Sequence, residues 1–181
     1  MDSRFAEYAG DVVRPGQPLV VVTDEGRETE AKVRLARIGF DRVRGAVVDV
    51  ECLLADRPDL AAQAARLAAR DLASWRDEEP NLQIIDVRNP SEHATGVVPS
   101  AMRVPLARLL DRYRDLDPTA PTVVYCATGY RSSIAASLLR SVGFTQVVDL
   151  QGGYDAWAAA GLPTVNPETI TGGPLRRLCR A

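Results

Sequence analysis

Cys126 opens the stretch Cys126-Ala127-Thr128-Gly129-Tyr130-Arg131-Ser132-Ser133, which places a nucleophilic sulfur, small residues and a guanidinium in one short loop. Small residues and glycine let several backbone N–H groups turn toward a common centre. A helix starting just after the loop would add its own unpaired N–H groups and the positive end of its dipole. The same field favours a thiolate over a thiol. Arg131 supplies a full positive charge suited to lining this cradle or to binding an anionic substrate. A thiolate already formed attacks without a general base, so the stretch reads as nucleophilic sulfur chemistry on an anion. An isolated cysteine at a strand end is more often a small packing residue. The loop weighs against that here.

The rest of the chain offers little competing chemistry. Cys52 and Cys179 have no comparable loop, and three cysteines so scattered suit neither a disulfide framework nor a zinc site. With a single histidine, His93, ligands for a metal are scarce, and His93 reads as a surface residue rather than a catalytic base. No metal and no cofactor are expected. The 181 residues carry 22 basic and 24 acidic side chains, a net charge of -2, and are 46% hydrophobic, an ordinary globular balance. Without a basic surplus a nucleic-acid partner is not expected. No apolar run is long enough to span a bilayer, and Met1 to Gly16 lacks a signal-peptide pattern, so no membrane role and a cytoplasmic location are expected.

The elements that must hold Cys126 follow from periodicity. Thr122-Val123-Val124-Tyr125 is a short apolar run suited to a strand buried on both faces of a parallel sheet. Ser133 to Val142 has helical spacing, Gly143 can supply a left-handed stop, and Gln146 to Leu150 returns as the next strand. Cys126 then lies at the carboxyl end of a parallel strand, where α/β proteins place their ligands. The unit occurs twice: laying Leu19–Val43 over Val123–Val147 without a gap matches Val20 with Val124, Arg27 with Arg131, Leu35 with Leu139, Gly39 with Gly143 and Phe40 with Phe144. Upstream of the second copy, Asp59 to Asp77 predicts one or two amphipathic helices. Leu82 to Val87 predicts a strand, Asn89-Pro90-Ser91-Glu92 a helix start and Leu106 to Leu116 another helix. The fold class is α/β, a parallel sheet flanked by helices. Residues 1–57 read as half a domain, 58–165 as a complete one and 166–181 as a mobile tail.

Several of these motifs together resemble the rhodanese (sulfurtransferase) family: Ile85-Asp86-Val87-Arg88 followed by Glu92, Gly96-Val97-Val98-Pro99-Ser100-Ala101, the Cys126–Arg131 loop, Gly143-Phe144, and Gly152-Gly153-Tyr154-Asp155-Ala156-Trp157. The family often has Gly-His-Ile-Pro-Gly-Ala where this chain has Gly96 to Ala101, so Val97 and Ser100 depart from the pattern. The resemblance implies a rhodanese-like fold, with residues 1–57 a degenerate C-terminal half-domain in which Val22 or Thr23 falls where the cysteine would be.

The resemblance further implies that Cys126 takes a sulfane sulfur from a small anionic donor such as thiosulfate or a low-molecular-weight persulfide, becomes a persulfide, and passes the sulfur to a thiol or cyanide. The backbone N–H groups of Ala127, Thr128, Gly129, Tyr130, Arg131 and Ser132 would cradle the persulfide. Arg131 would help to bind the donor, and Asp86 and Arg88 would organise the site. A half-domain before an intact one also resembles the end of fusions with a metallo-β-lactamase-like persulfide dioxygenase. A partner of that kind, or a homo-oligomer, is therefore expected. Two other readings stand beside this one. Cysteine phosphatases use a similar cradle with five residues between cysteine and arginine, against four here, and the smaller loop suits a sulfur atom better than a phosphoryl group. Alternatively the chain is a non-catalytic module that binds or carries persulfide for a larger sulfide-oxidation system.

Overall fold

The computed structural model describes residues 4–166. Cys179 and the tail from residue 167 onward lie outside the described residues. The chain divides into two compact units, residues 1–65 with 106–115, and residues 66–105 with 116–181.

The first unit contains α1 (Phe5–Val12), β1 (Leu19–Val22), α2 (Glu28–Ala36), β2 (Val43–Val47) and α3 (Val50–Asp56). β1 and β2 pair in parallel, with Val20 opposite Gly45 and Val22 opposite Val47. Val21, Ala31, Leu35 and Phe40 form its core, against which Phe5, Ala9 and Val13 pack. A sheet of two strands has little apolar surface with which to cover both of its faces. The consequence is visible on β1, where Val20 and Val22 are 63% and 62% exposed.

The second unit holds β3 (Ala65–Leu67, its first residue lying at the boundary), α4 (Ala69–Glu78), β4 (Gln83–Asp86), β5 (Met102–Arg103), β6 (Thr122–Tyr125), α6 (Tyr130–Ser141), β7 (Val147–Leu150) and α7 (Gly153–Ala159). The intervening helix α5 (Leu106–Arg112) belongs to the first unit. The sheet order is β3-β7-β6-β4-β5, and β5, β4, β6 and β7 pair in parallel. Every residue of β6 is buried, as its unbroken apolar run requires. Leu72 of α4 and Tyr154 and Trp157 of α7 join Ile84, Val123, Tyr125 and Leu150 in one core. α6 contributes Ala135, Ala136 and Leu139 to the buried set. Gly143 takes the left-handed conformation expected of it (φ 103°), and Phe144 N–H closes the helix end on Leu139 O at 3.1 Å.

One local expectation is corrected, and one departure from the family pattern shows its cost. Ala65–Leu67 is a strand beside β7, with Gln151 N–H donating to Leu67 O at 2.9 Å, although its alanine-rich surroundings read as helix. Helix propensity is a weak preference, and an open sheet edge overrides it over three residues. Ser100, at the position where the family often has glycine, keeps a left-handed backbone (φ 68°), the one non-glycine residue to do so among those described. Holding that conformation carries a steric cost for a serine.

Candidate active site

β6 ends in Cys126, and the chain turns through Ala127, Thr128 and Gly129 into α6. Gly129 is the N-cap residue, with φ 112°, a conformation that glycine adopts freely. This turn brings Gly129 N–H to 3.2 Å from the Cys126 sulfur. From the first turn of α6, the Ser132 hydroxyl lies 3.6 Å from the same sulfur and donates to Gly129 O at 3.1 Å. Cys126 is only 1% exposed, yet its sulfur faces an amide and a hydroxyl rather than hydrocarbon alone. Of the residues expected to surround it, Arg131 and Ser132 are buried, Ala127 and Gly129 half-buried, and Thr128 and Tyr130 exposed.

The start of α7 holds the loop from its other side. Tyr154 N–H donates to Cys126 O at 2.7 Å and Asp155 N–H to Ala127 O at 3.0 Å. Fixing two successive carbonyls orients the peptide planes of the loop. The approach needs Gly153, where a Cβ would overlap Cys126 O and sit 2.5 Å from Ala127 O. The Gly152-Gly153 pair was legible in the sequence as a motif, but nothing there said what backbone it must approach.

Arg131 is engaged by Glu92. Nη1 and Nη2 donate to Oε2 and Oε1, each at 2.6 Å, and Asn89 N–H donates to Oε2 at 2.9 Å. This bidentate pair links the loop to the 3-10 turn Pro90–Thr95 after β4. The Arg131 hydrogen bonds, helped by Asn89 N–H and working against desolvation, lower the Glu92 carboxyl from the ordinary 4.5 to about 2. Because the unfolded chain takes up this proton first, the contribution to stability is complete above about pH 4.5 and is lost as the pH falls toward 2. Glu92→Gln should lower the melting temperature at neutral pH, at a cost of about 1–2 kcal/mol after discounting for the partly exposed carboxylate. It should also flatten the decline below pH 4.5. Thermal melts from pH 2.5 to 7 check this, and parallel curves for the two proteins would show that the pair contributes nothing.

Asp86 and Arg88 form a buried hub behind the loop. Arg88 Nε and Nη2 donate to Asp86 at 2.7 to 3.1 Å, and Nη2 also reaches Gly96 O at 2.8 Å. The guanidinium lies 4.1 Å from the Tyr154 ring centre, and Tyr154 OH donates to Thr95 O at 2.7 Å. The hub thereby joins β4, the turn after it and α7. Tyr125, buried on β6, has its hydroxyl pushed far up, chiefly by desolvation, and accepts from Val98 N–H at 3.1 Å.

His93, expected at the surface, is instead 5% exposed. Its Nε2 lies 3.6 Å from Asp86 Oδ2, and burial lowers its pKa. The short turn folds back on the hub, so a position that reads as a helix start faces inward. Among the described residues, no three His, Cys, Asp or Glu side chains converge to hold a metal, and no helix is long and apolar enough to cross a membrane.

Sequence reasoning also missed Asp149. It sits on β7 opposite Val124, two residues before Cys126, and is 3% exposed. Only the strand register reveals that proximity.

The chain is similar to known proteins in sequence and in fold. A sulfurtransferase from Allochromatium vinosum is 38% identical over 85 residues, 47% of this chain and 79% of its own length. The thiosulfate sulfurtransferase GlpE of Pseudomonas fluorescens is 33% identical over 95 residues, 52% of this chain and 83% of its own. A rhodanese-related protein from Thermoplasma volcanium superposes with a TM-score of 0.52 at 29% identity, covering 56% of this chain and 97% of the other. The names of the first two support a sulfurtransferase-like function. The profile of the Rhodanese-like domain matches residues 68–160, a span that contains Cys126, its loop and the three segments that fix it, and so the chain belongs to the rhodanese family.

Proposed function

We propose that the protein transfers sulfane sulfur through a persulfide on Cys126. The Cys126 thiolate attacks the outer sulfur of a donor such as thiosulfate. The donor S–S bond breaks and sulfite leaves with the electron pair. A thiolate or cyanide then attacks the outer sulfur of the persulfide and restores the Cys126 thiolate. The observation that carries this reading is the Gly129 N–H directed at the Cys126 sulfur at 3.2 Å, in a loop held at the end of a parallel strand. The remaining loop amides provide the cradle once the sulfur atom is added. Arg131, with both terminal nitrogens on Glu92, acts on the donor through its charge and by closing the loop.

The experiment is incubation of the full chain with thiosulfate followed by intact mass spectrometry. A gain of one sulfur atom, located on the Cys126 peptide and discharged by cyanide, is the expected result. Hydrolysis of p-nitrophenyl phosphate without sulfur loading would favour the phosphatase reading. The burial of Cys126, at 1% exposed, favours a second reading in which the domain hands sulfur only to a protein partner. Loading that resists discharge by cyanide and small thiols supports that version.

We read residues 1–57, within the first unit, as a degenerate half-domain of the same type. Its strand-helix-strand pairs Val20 with Gly45 as the second unit pairs Val124 with Asp149. Val22 or Thr23 stands at the cysteine position, so this half has no counterpart of Cys126.

A further inference from the structure

Asp149 is a buried carboxylate for which the cradle has no evident use. Its Oδ1 has no hydrogen-bond partner among the described residues. Oδ2 lies 3.8 Å from Nε of Arg66, whose own side chain is 62% exposed, too loose a pair to offset burial of a charge. The Ser132 hydroxyl, which donates to Gly129 O at 3.1 Å, is near enough to this carboxylate to favour its charged form, and it lies 3.6 Å from the Cys126 sulfur. Asp149 also lines a cleft of about 340 Å³ bordered by exposed Arg66, Thr128, Tyr130 and Gln151, which gives it a route to solvent away from the sulfur. The charged and titratable groups that face it are Arg66 from β3, Arg140 from α6 and, beyond Ser132, Cys126 at the end of β6. Burial raises the Asp149 pKa and outweighs the opposing influence of the Ser132 hydroxyl and the two arginine charges. In the first unit the corresponding positions are Val22, Glu28 and Gly45, so the copy without the cysteine also lacks the serine and the aspartate.

We infer that Ser132 and Asp149 relay the thiol proton of Cys126. Ser132 Oγ takes the proton from the sulfur while its own hydroxyl proton passes to the Asp149 carboxylate. The products are a Cys126 thiolate and a neutral carboxylic acid, and the net charge of the group is unchanged. For this transfer the hydroxyl now donating to Gly129 O turns toward Asp149 about its Cβ–Oγ bond. After sulfur has been delivered, the proton returns by the reverse path, and the cleft lets Asp149 exchange with water. Asp149 is thus a positioning residue acting through Ser132. This rests on Cys126 being the reactive sulfur of the proposed transfer.

The test follows iodoacetamide alkylation of the Cys126 peptide in the full chain from pH 4.5 to 10, which needs no sulfur donor. Two groups sharing a proton titrate in two steps, so the wild type should show two rises in rate. Asp149→Asn keeps the shape of the side chain and should show one rise, with alkylation about tenfold slower at pH 6, equivalent to about one pK unit of coupling. Ser132→Ala, with the carboxylate intact, should also lose the lower rise, and it carries the test if the Asn variant does not fold. A carboxylate acting only as a fixed negative charge predicts faster alkylation in Asp149→Asn. Equal or faster alkylation in that variant overturns the relay, as does a wild-type lower rise that survives in Ser132→Ala. Failure of thiosulfate loading with both rises intact would instead count against sulfur transfer and leave the relay standing.

Discussion

Cys126→Ser is expected to abolish thiosulfate-dependent mass gain and sulfur delivery to cyanide while leaving the melting temperature within a few degrees of the wild type. Serine keeps an acceptor for Gly129 N–H at the position where the sulfur now sits 3.2 Å away. The structural cost is therefore small, on the order of 1 kcal/mol for exchanging one buried side-chain atom. The chemical cost is complete, because an alkoxide is not available at neutral pH and an oxygen–sulfur link does not replace a persulfide. Intact mass and a thermal melt on the same samples separate the two effects. A sulfur atom still gained by the serine variant would place the carrier elsewhere, with exposed Cys52 the first residue to inspect. A large fall in melting temperature would mean that the thiol is chiefly a core residue.

What the sequence made legible was local. The β6-loop-α6 unit could be read because each step has a strong signal within a few residues: an unbroken apolar strand, a glycine turn, helical spacing and a glycine stop. The Asn89–Glu92 turn start was legible for the same reason. Positions that depend on which segments become neighbours were not. Glu92 and Arg131 are 39 residues apart and meet only when the turn after β4 lies beside the loop. Asp149 joins Ser132 and Cys126 through the pairing of β6 with β7, which composition does not reveal. His93 was misplaced because a polar residue in a polar turn says nothing about the direction in which the turn folds. Ala65–Leu67 was misread as helix because the open edge of β7 was invisible.

Gly153→Ala is the structural counterpart of the cysteine substitution and should nearly abolish function without touching a reactive atom. Two costs combine. Gly153 has φ 59°, and a side chain in that conformation costs about 1–2 kcal/mol. The added Cβ would also overlap Cys126 O and lie 2.5 Å from Ala127 O, so the loop or the start of α7 must move. Those carbonyls accept the Tyr154 and Asp155 N–H bonds, and displacing them turns the peptide planes that aim Gly129 N–H at the sulfur. Together these should destabilise the fold by about 3–5 kcal/mol and slow sulfur loading by roughly 100-fold, the penalty for misplacing reacting groups by about 1 Å. Gly161→Ala separates the terms: it has φ 67°, but nothing lies within 4 Å of its added Cβ, so it should show the conformational cost alone and load sulfur normally. Melting curves and loading rates for both variants decide the matter. If the two behave alike, the close approach of α7 to the loop has no part in holding the cradle.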